Sequence, residues 1–126
     1  MDVQVVAIRD RADGVDAGRS PDGLDRRFNL RDAPAVRRFL GRSADLISLL
    51  DEAFFQLQKQ FGRDVSIALE VISDPEGEDA EELFGYVSTA LAIEDAIARL
   101  DRFDESWFLD HLPILGGRLN FNLEFL

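Results

Sequence analysis

Apolar positions along this chain recur at two different spacings, and the switch between them outlines a fold. Leu46, Leu50, Ala53, Leu57 and Phe61 fall three or four residues apart, with Ile47, Leu49 and Phe54 widening the stripe. That spacing predicts a long helix over 44–61, capped by Ser43 and followed by Gly62, with Asp51, Gln56, Gln58 and Lys59 largely off the apolar face. A shorter helix precedes it, opening near Pro34, running through Val36, Phe39 and Leu40, and ending before Gly41. The period then drops to two. Val65, Ile67, Leu69 and Val71 alternate with Ser66, Ala68 and Glu70, as in a strand with one buried face. Leu83 to Thr89 predicts a second strand with Gly85 as its weak point, and 74–82 is the loop of a hairpin between the two. Arg118 to Phe125 predicts a last strand, with Leu119, Phe121, Leu123 and Phe125 inward and Asn120, Asn122 and Glu124 outward, entered through Gly116-Gly117.

Between the second and last of these strands the helical period returns. Ile93, Ala96, Ile97, Leu100 and Phe103 place one apolar face on a helix over 92–103, with Asp95 and Arg99 spaced as a surface pair. The run Leu100-Asp101-Arg102-Phe103-Asp104-Glu105-Ser106-Trp107-Phe108-Leu109-Asp110-His111 follows, holding the sole Trp and the sole His. The expectation is a break there: Asp104 caps a second short helix starting at Glu105, and Phe103 packs on Trp107 across the junction. The order helix, strand, strand, helix, strand implies an α+β domain of two layers. Its sheet is antiparallel or mixed, of three to four strands, with helices packed on one face and the other face wetter. Should the last two strands pair in parallel, their crossover is expected to be right-handed.

The first residues fit this scheme least. Residues 1–8 alternate poorly, although a short strand is conceivable there, and 9–31 are mostly Asp, Arg and Gly around the turn signal Ser20-Pro21-Asp22-Gly23. The expected organisation is therefore a poorly structured Arg/Asp/Gly-rich arm over 1–31, anchored only by Phe28 and Leu30, and a single domain over 32–126.

Composition narrows the chemistry. The chain has 126 residues and a net charge of −11, and its charge is uneven: +2 over 1–42 and −13 over 43–126. An acidic body repels phosphate backbones and favours a basic protein partner, so nucleic-acid binding by that body is not expected. The arginines of the arm either meet an acidic surface or fold back on the chain's own acidic body. With no Cys there are no disulfides, thiolate metal sites or thiol nucleophiles. No apolar run reaches the roughly 18 residues of a membrane-spanning helix, and the first residues lack the layout of a signal peptide, so the expected place is the cytoplasm.

Candidate sites are few. The acidic run Asp74-Pro75-Glu76-Gly77-Glu78-Asp79-Ala80-Glu81-Glu82 suggests a hard cation, but its spacing puts Asp79 and Gly85 where a calcium loop needs Gly and Glu. No metal ligand set or cofactor motif is expected. Asp101, Asp104, Glu105 and Asp110 place carboxylates near one another, a pattern that serves acid–base work or helix capping alike, while the single His111 has no companion ligand. No nucleotide-binding glycine pattern or nucleophile elbow is present, so no catalytic residue is assigned.

The strings Leu69-Glu70-Val71-Ile72-Ser73-Asp74-Pro75-Glu76, Leu100-Asp101-Arg102-Phe103-Asp104-Glu105-Ser106-Trp107 and Gly117-Arg118-Leu119 through Glu124-Phe125 resemble a family of small uncharacterised bacterial proteins. The resemblance covers about 44–126 and carries no activity and no catalytic residues. It implies an association with genes lying beside toxin-like or other partner genes. Ala92 departs from the pattern, standing where a Ser or Thr cap is expected. The leading expectation is a small acidic, non-enzymatic interaction module, antitoxin-like or adaptor, that binds a partner protein through Asp101, Arg102, Asp104, Glu105, Trp107 and Asp110. Two alternatives stand beside it: a divalent-metal-dependent hydrolase using the 101–110 carboxylates, and an acidic mimic of nucleic acid.

Overall fold

A computed structural model describes residues 23–73 and 81–126. The described chain runs α1 (Leu24–Arg27), β1 (Asn29–Leu30), α2 (Ala33–Arg42), α3 (Asp45–Phe61), β2 (Ser66–Ser73), β3 (Glu81–Thr89), α4 (Ile93–Phe103), a π turn (Asp104–Phe108), α5 (Leu109–Leu115) and β4 (Leu119–Phe125). Its four strands form one mixed sheet in the order β1-β2-β3-β4. The central pair is an antiparallel hairpin, Ser66 opposite Ser88 and Ser73 opposite Glu81. On either side of it lies a parallel strand, β1 against β2 and β4 against β3. Each parallel pair needs a crossover, and each crossover is helical: α2 and α3 on one side, α4 to α5 on the other. This is the expected α+β domain with helices packed on a sheet.

The long helix follows its stripe, with Leu46, Leu49, Leu50, Ala53 and Leu57 buried. They meet Val36, Phe39 and Leu40 of α2, Ile67 and Leu69 of β2, Leu83 and Val87 of β3, and Leu119 of β4 in one core. Gly62 ends α3 at φ 103°, a conformation that side-chain-bearing residues rarely adopt. The helix starts a residue later than expected. Ala44 takes the cap position, and no side chain caps it. The acid of its first turn, Asp45, suits the positive end of the helix and is held there by Arg118. Arg118 donates to both oxygens of Asp45 in the first turn of α3, at 2.9 and 2.8 Å, and to the carbonyls of Ile114 and Leu115 at the end of α5. The Arg118 guanidinium accordingly holds the Asp45 carboxyl below its ordinary value.

The expected arm ends sooner than its composition suggested. Leu24 and Phe28 are buried in the core, and the Phe28 ring stands edge-on to Phe54 of α3 at 5.6 Å. Asn29 and Leu30 add a strand to β2, so residues from Leu24 onward belong to the body and not to a loose arm. Their arginines fold back on its acids. Arg27 reaches Asp51 at 3.1 Å, and Arg31 crosses the helix-free face of the sheet to Glu70 and to Glu124, the latter at 2.6 Å. On that face Arg31 also lies 5.2 Å over the Tyr86 ring, which stacks on Phe84. The strand considered over 1–8, the rest of the arm to residue 22, and residues 74–80 of the acidic loop lie outside the described residues.

Gly85 has a physical reason to be glycine. It pairs with Phe121 across β3 and β4, and a Cβ built on it would stand 2.6 Å from two atoms of the Phe121 ring. The aromatic lies on bare backbone. Gly85→Ala is therefore expected to cost about 1–3 kcal/mol, read from urea unfolding curves; wild-type stability in that variant would show that the ring swings aside without penalty.

Candidate functional site

The segment from Ile93 to Leu115 contains no break. Asp104 has helical dihedrals (φ −57°, ψ −48°) and does not cap a new helix. The chain instead widens into the π turn at Asp104–Phe108 and tightens again into α5, giving one rod in place of the expected corner. Packing accounts for the wider turn. Phe103, Trp107 and His111 are spaced by four, a step that overshoots one α-helical turn and drifts around the axis. One loosened turn brings all three rings onto the same side. Trp107 stacks on Phe103 at 5.7 Å and on His111 at 4.2 Å. Phe103, fully buried, stands edge-on to Phe121 at 5.2 Å.

One flank of this rod is tied to α3. Arg99 donates to the Gln60 carbonyl at 2.7 Å and Arg102 to the Gln60 side-chain oxygen at 3.1 Å. The Trp107 indole N–H donates to Glu52 at 3.1 Å, and His111 places Nε2 3.5 Å from the same carboxylate oxygen while Nδ1 lies 2.7 Å from the Trp107 carbonyl. Both imidazole nitrogens thus face partners, which leaves the ring a structural position and no free nitrogen aimed at a substrate. Glu52 escaped sequence reading because it sits 55 residues from Trp107 and looks, in its own helix, like any exposed acid. Arg99 was expected to pair with Asp95; it reaches across to α3 instead.

The predicted site residues divide between the two flanks. Trp107 is 3% exposed and, with Arg102, faces α3, so these two hold the rod. Asp101 and Glu105 are exposed and Asp104 is half-buried between them. Burial pushes the Asp104 carboxyl up from its ordinary value, and the charges of Asp101 and Glu105 push it the same way. Asp110 is exposed and is not among the groups that act on Asp104. Of the predicted carboxylates, the structure gathers three and leaves the fourth apart. Among the described residues no group of three or more acidic or His side chains is placed to hold a metal ion. Two concave regions lie elsewhere among the described residues. One of about 520 Å³ is lined in part by Asp25, Phe28 and Pro34, and one of about 320 Å³ by Phe61, Thr89 and Arg99. Glu81 and Glu82, the described end of the acidic loop, pair with Arg42 and Asn120 respectively. No family model, no curated protein and no solved structure matches the chain.

Because Trp107 is core, Trp107→Ala should cost about 3–5 kcal/mol and Trp107→Phe about 1–2 kcal/mol, the latter through the lost hydrogen bond to Glu52 and the smaller ring. Chemical denaturation measures both; a Trp107→Ala variant within about 1 kcal/mol of wild type would remove the ring from the core. Asp104 gives a pH signature of definite sign. A carboxyl whose value is raised on folding adds stability below the ordinary carboxyl range and loses it as pH climbs through the folded value. Asp104→Asn should therefore match wild type near about pH 3 and exceed it in thermal midpoint at neutral pH. A variant less stable than wild type at neutral pH would mean that the carboxylate makes a favourable contact.

Proposed function

We propose that this chain is a small acidic interaction module, antitoxin-like or adaptor in role, that works in the cytoplasm and binds a basic partner protein through Asp101, Asp104 and Glu105. The observation that carries this reading is the two-sided character of the rod. Arg99, Arg102 and Trp107 fasten one flank to α3, while the other carries Asp101, Asp104 and Glu105, where burial and then the charges of its two neighbours raise the cost of ionising Asp104. A crowded acidic flank is unfavourable in the free protein and is relieved by a cation brought from outside. Holding it on a fixed rod means that little conformational freedom is lost on binding. Arg102 and Trp107 act here as positioning residues, and Asp110 extends the acidic rim along α5. The net charge of −11 adds long-range attraction for a basic partner, felt mainly in the association rate.

The test compares the full-length chain with an Asp101→Lys, Asp104→Lys, Glu105→Lys triple variant as bait in a lysate of the source cell at ordinary salt. The wild type is expected to retain one protein at a stoichiometric level, and the triple variant to lose at least tenfold of it, about 1.4 kcal/mol or more. No stoichiometric partner, or one held equally by both baits, overturns the reading.

A further inference from the structure

The two edges of the sheet are unlike each other. β1 is two residues long, and one residue beyond it Asp32 takes a left-handed conformation that turns the chain away. β4 is seven residues long, Leu119-Asn120-Phe121-Asn122-Leu123-Glu124-Phe125, and among the described residues pairs only with β3. It contains no Pro and no Lys, the residues that most often blunt an edge. Among the described residues nothing pairs with its outer row of backbone N–H and C=O groups, and its own sequence holds nothing built to refuse a further strand.

Beside that edge lies a flank of the rod that the described residues cover only in part: Leu100 and Phe108 pack against the core, while Ile93, Ile97 and Leu112 stay exposed. Ile93, Ile97, Leu100, Asp104, Phe108 and Leu112 follow one another at steps of four or three along the rod, on a single flank. This is the flank turned away from α3, since Arg99, Arg102 and Trp107 mark the opposite one. It is also the flank toward β4, since the Phe108 ring stands edge-on to Phe121 at 6.2 Å. Ile93 and Ile97 were expected in the core, yet they are 59% and 48% exposed, and Leu112 and Phe125 are exposed with them. An open strand edge and a partly covered apolar stripe thus run side by side, with Asp104 and its neighbours Asp101 and Glu105 in the middle.

We propose that this edge and stripe form one docking surface, and that its occupant is a basic segment of the partner protein, which adds to β4 as a fifth strand. The proposal rests on the acidic-module reading above and specifies how its partner binds. Strand addition supplies main-chain hydrogen bonds, and alternate side chains of the added strand then face the helical layer. There they meet Ile97, Phe108 and Leu112, interrupted by the carboxylates, so the matching segment alternates apolar residues and carries Lys or Arg opposite Asp104. Charge decides against a second copy of this chain as the occupant. Two-fold pairing of β4 with itself would face the carboxylates of one copy with those of the other, on molecules that each carry −11. A basic strand meets the same surface with opposite sign.

The experiment selects a random twelve-residue peptide library on the immobilised full-length protein, then synthesises the most enriched peptide and maps its site by amide hydrogen exchange. Enriched sequences are expected to alternate apolar residues with Lys or Arg, and the bound peptide to slow exchange at β4. An Ile97→Lys, Leu112→Lys double variant should bind it at least tenfold more weakly with an unchanged circular dichroism spectrum and thermal midpoint, since both side chains are exposed. Failure to enrich any peptide, enrichment of acidic sequences, protection away from β4, or a solution mass showing the chain already paired through β4 each overturn the proposal. If the bait experiment finds a partner lost by the triple-lysine variant but retained by the Ile97→Lys, Leu112→Lys variant, the acidic-module reading stands and this docking mode falls.

Discussion

The Phe121 ring occupies the space a side chain on Gly85 would need and stands in a T-shaped pair with the buried Phe103 ring. This three-part contact decides where the last third of the chain sits. Parallel pairing of β3 with β4 brings together strands separated by a long crossover, and such a pairing gains nothing until the loop has been closed. The aromatic contact repays that closure at its midpoint. It fixes β4 against β3 through Gly85 and fixes the crossover rod against both through Phe103. Trp107 and His111 then extend the stack from Phe103 toward α3, where Glu52 receives the indole N–H. The sheet, the rod and the long helix are thereby locked by one line of rings.

Charge works on two scales in the same molecule. At short range, arginines from the N-terminal end of the described chain answer the acids of the body: Arg27 with Asp51, Arg31 with Glu70 and Glu124, Arg42 with Glu81. Exposed pairs of this kind contribute little each, on the order of 0–1 kcal/mol. Arg31 differs because it bridges β2 and β4 while covering the Tyr86 ring between them, so its ion pairs also close the helix-free face. The opposite charges of the two parts of the sequence thus serve, in part, the interior of the fold. Among the described residues the carboxylates on the rod show no ion pair of this kind, and burial, with the charges of Asp101 and Glu105 added to it, pushes the Asp104 carboxyl up.

Much of this architecture was legible in the residue pattern because it is set by local period. The face of α3, the alternation of β2 and β4 and the glycine end of α3 follow from spacing and backbone preference alone, whereas α2 runs on through Gly41, where an end was expected, to Arg42. What escaped depends on contacts far apart in sequence. The π turn was read as a break because Asp104 before Glu105 is good cap chemistry locally, whereas the stacking of Phe103, Trp107 and His111 demands continuity. β1 was missed because two residues carry no period, and their strand character comes from lying beside Ala68 and Leu69. The carboxylate cluster was placed in the right segment, but Trp107 and Arg102 turned to α3, since a helix segment alone does not say which flank its neighbours cover. For the same reason Ile93 and Ile97 were assigned to the core: periodicity shows that a face is apolar and is silent on what meets it.

A partly covered stripe beside an unguarded strand edge carries a cost, because it is the surface on which copies of a protein pair and aggregate. Nothing in β4 itself lowers that hazard, with one Glu among seven residues. Net charge does. At −11 per chain, encounters between copies are repelled before the edges meet, and Asp101, Asp104 and Glu105 place part of that charge beside the stripe. The same field lowers the barrier for a molecule of opposite sign. In the docking mode proposed above, acidity acts as a filter on an otherwise indiscriminate edge: it leaves the backbone groups of β4 available while setting the sign of what can reach them.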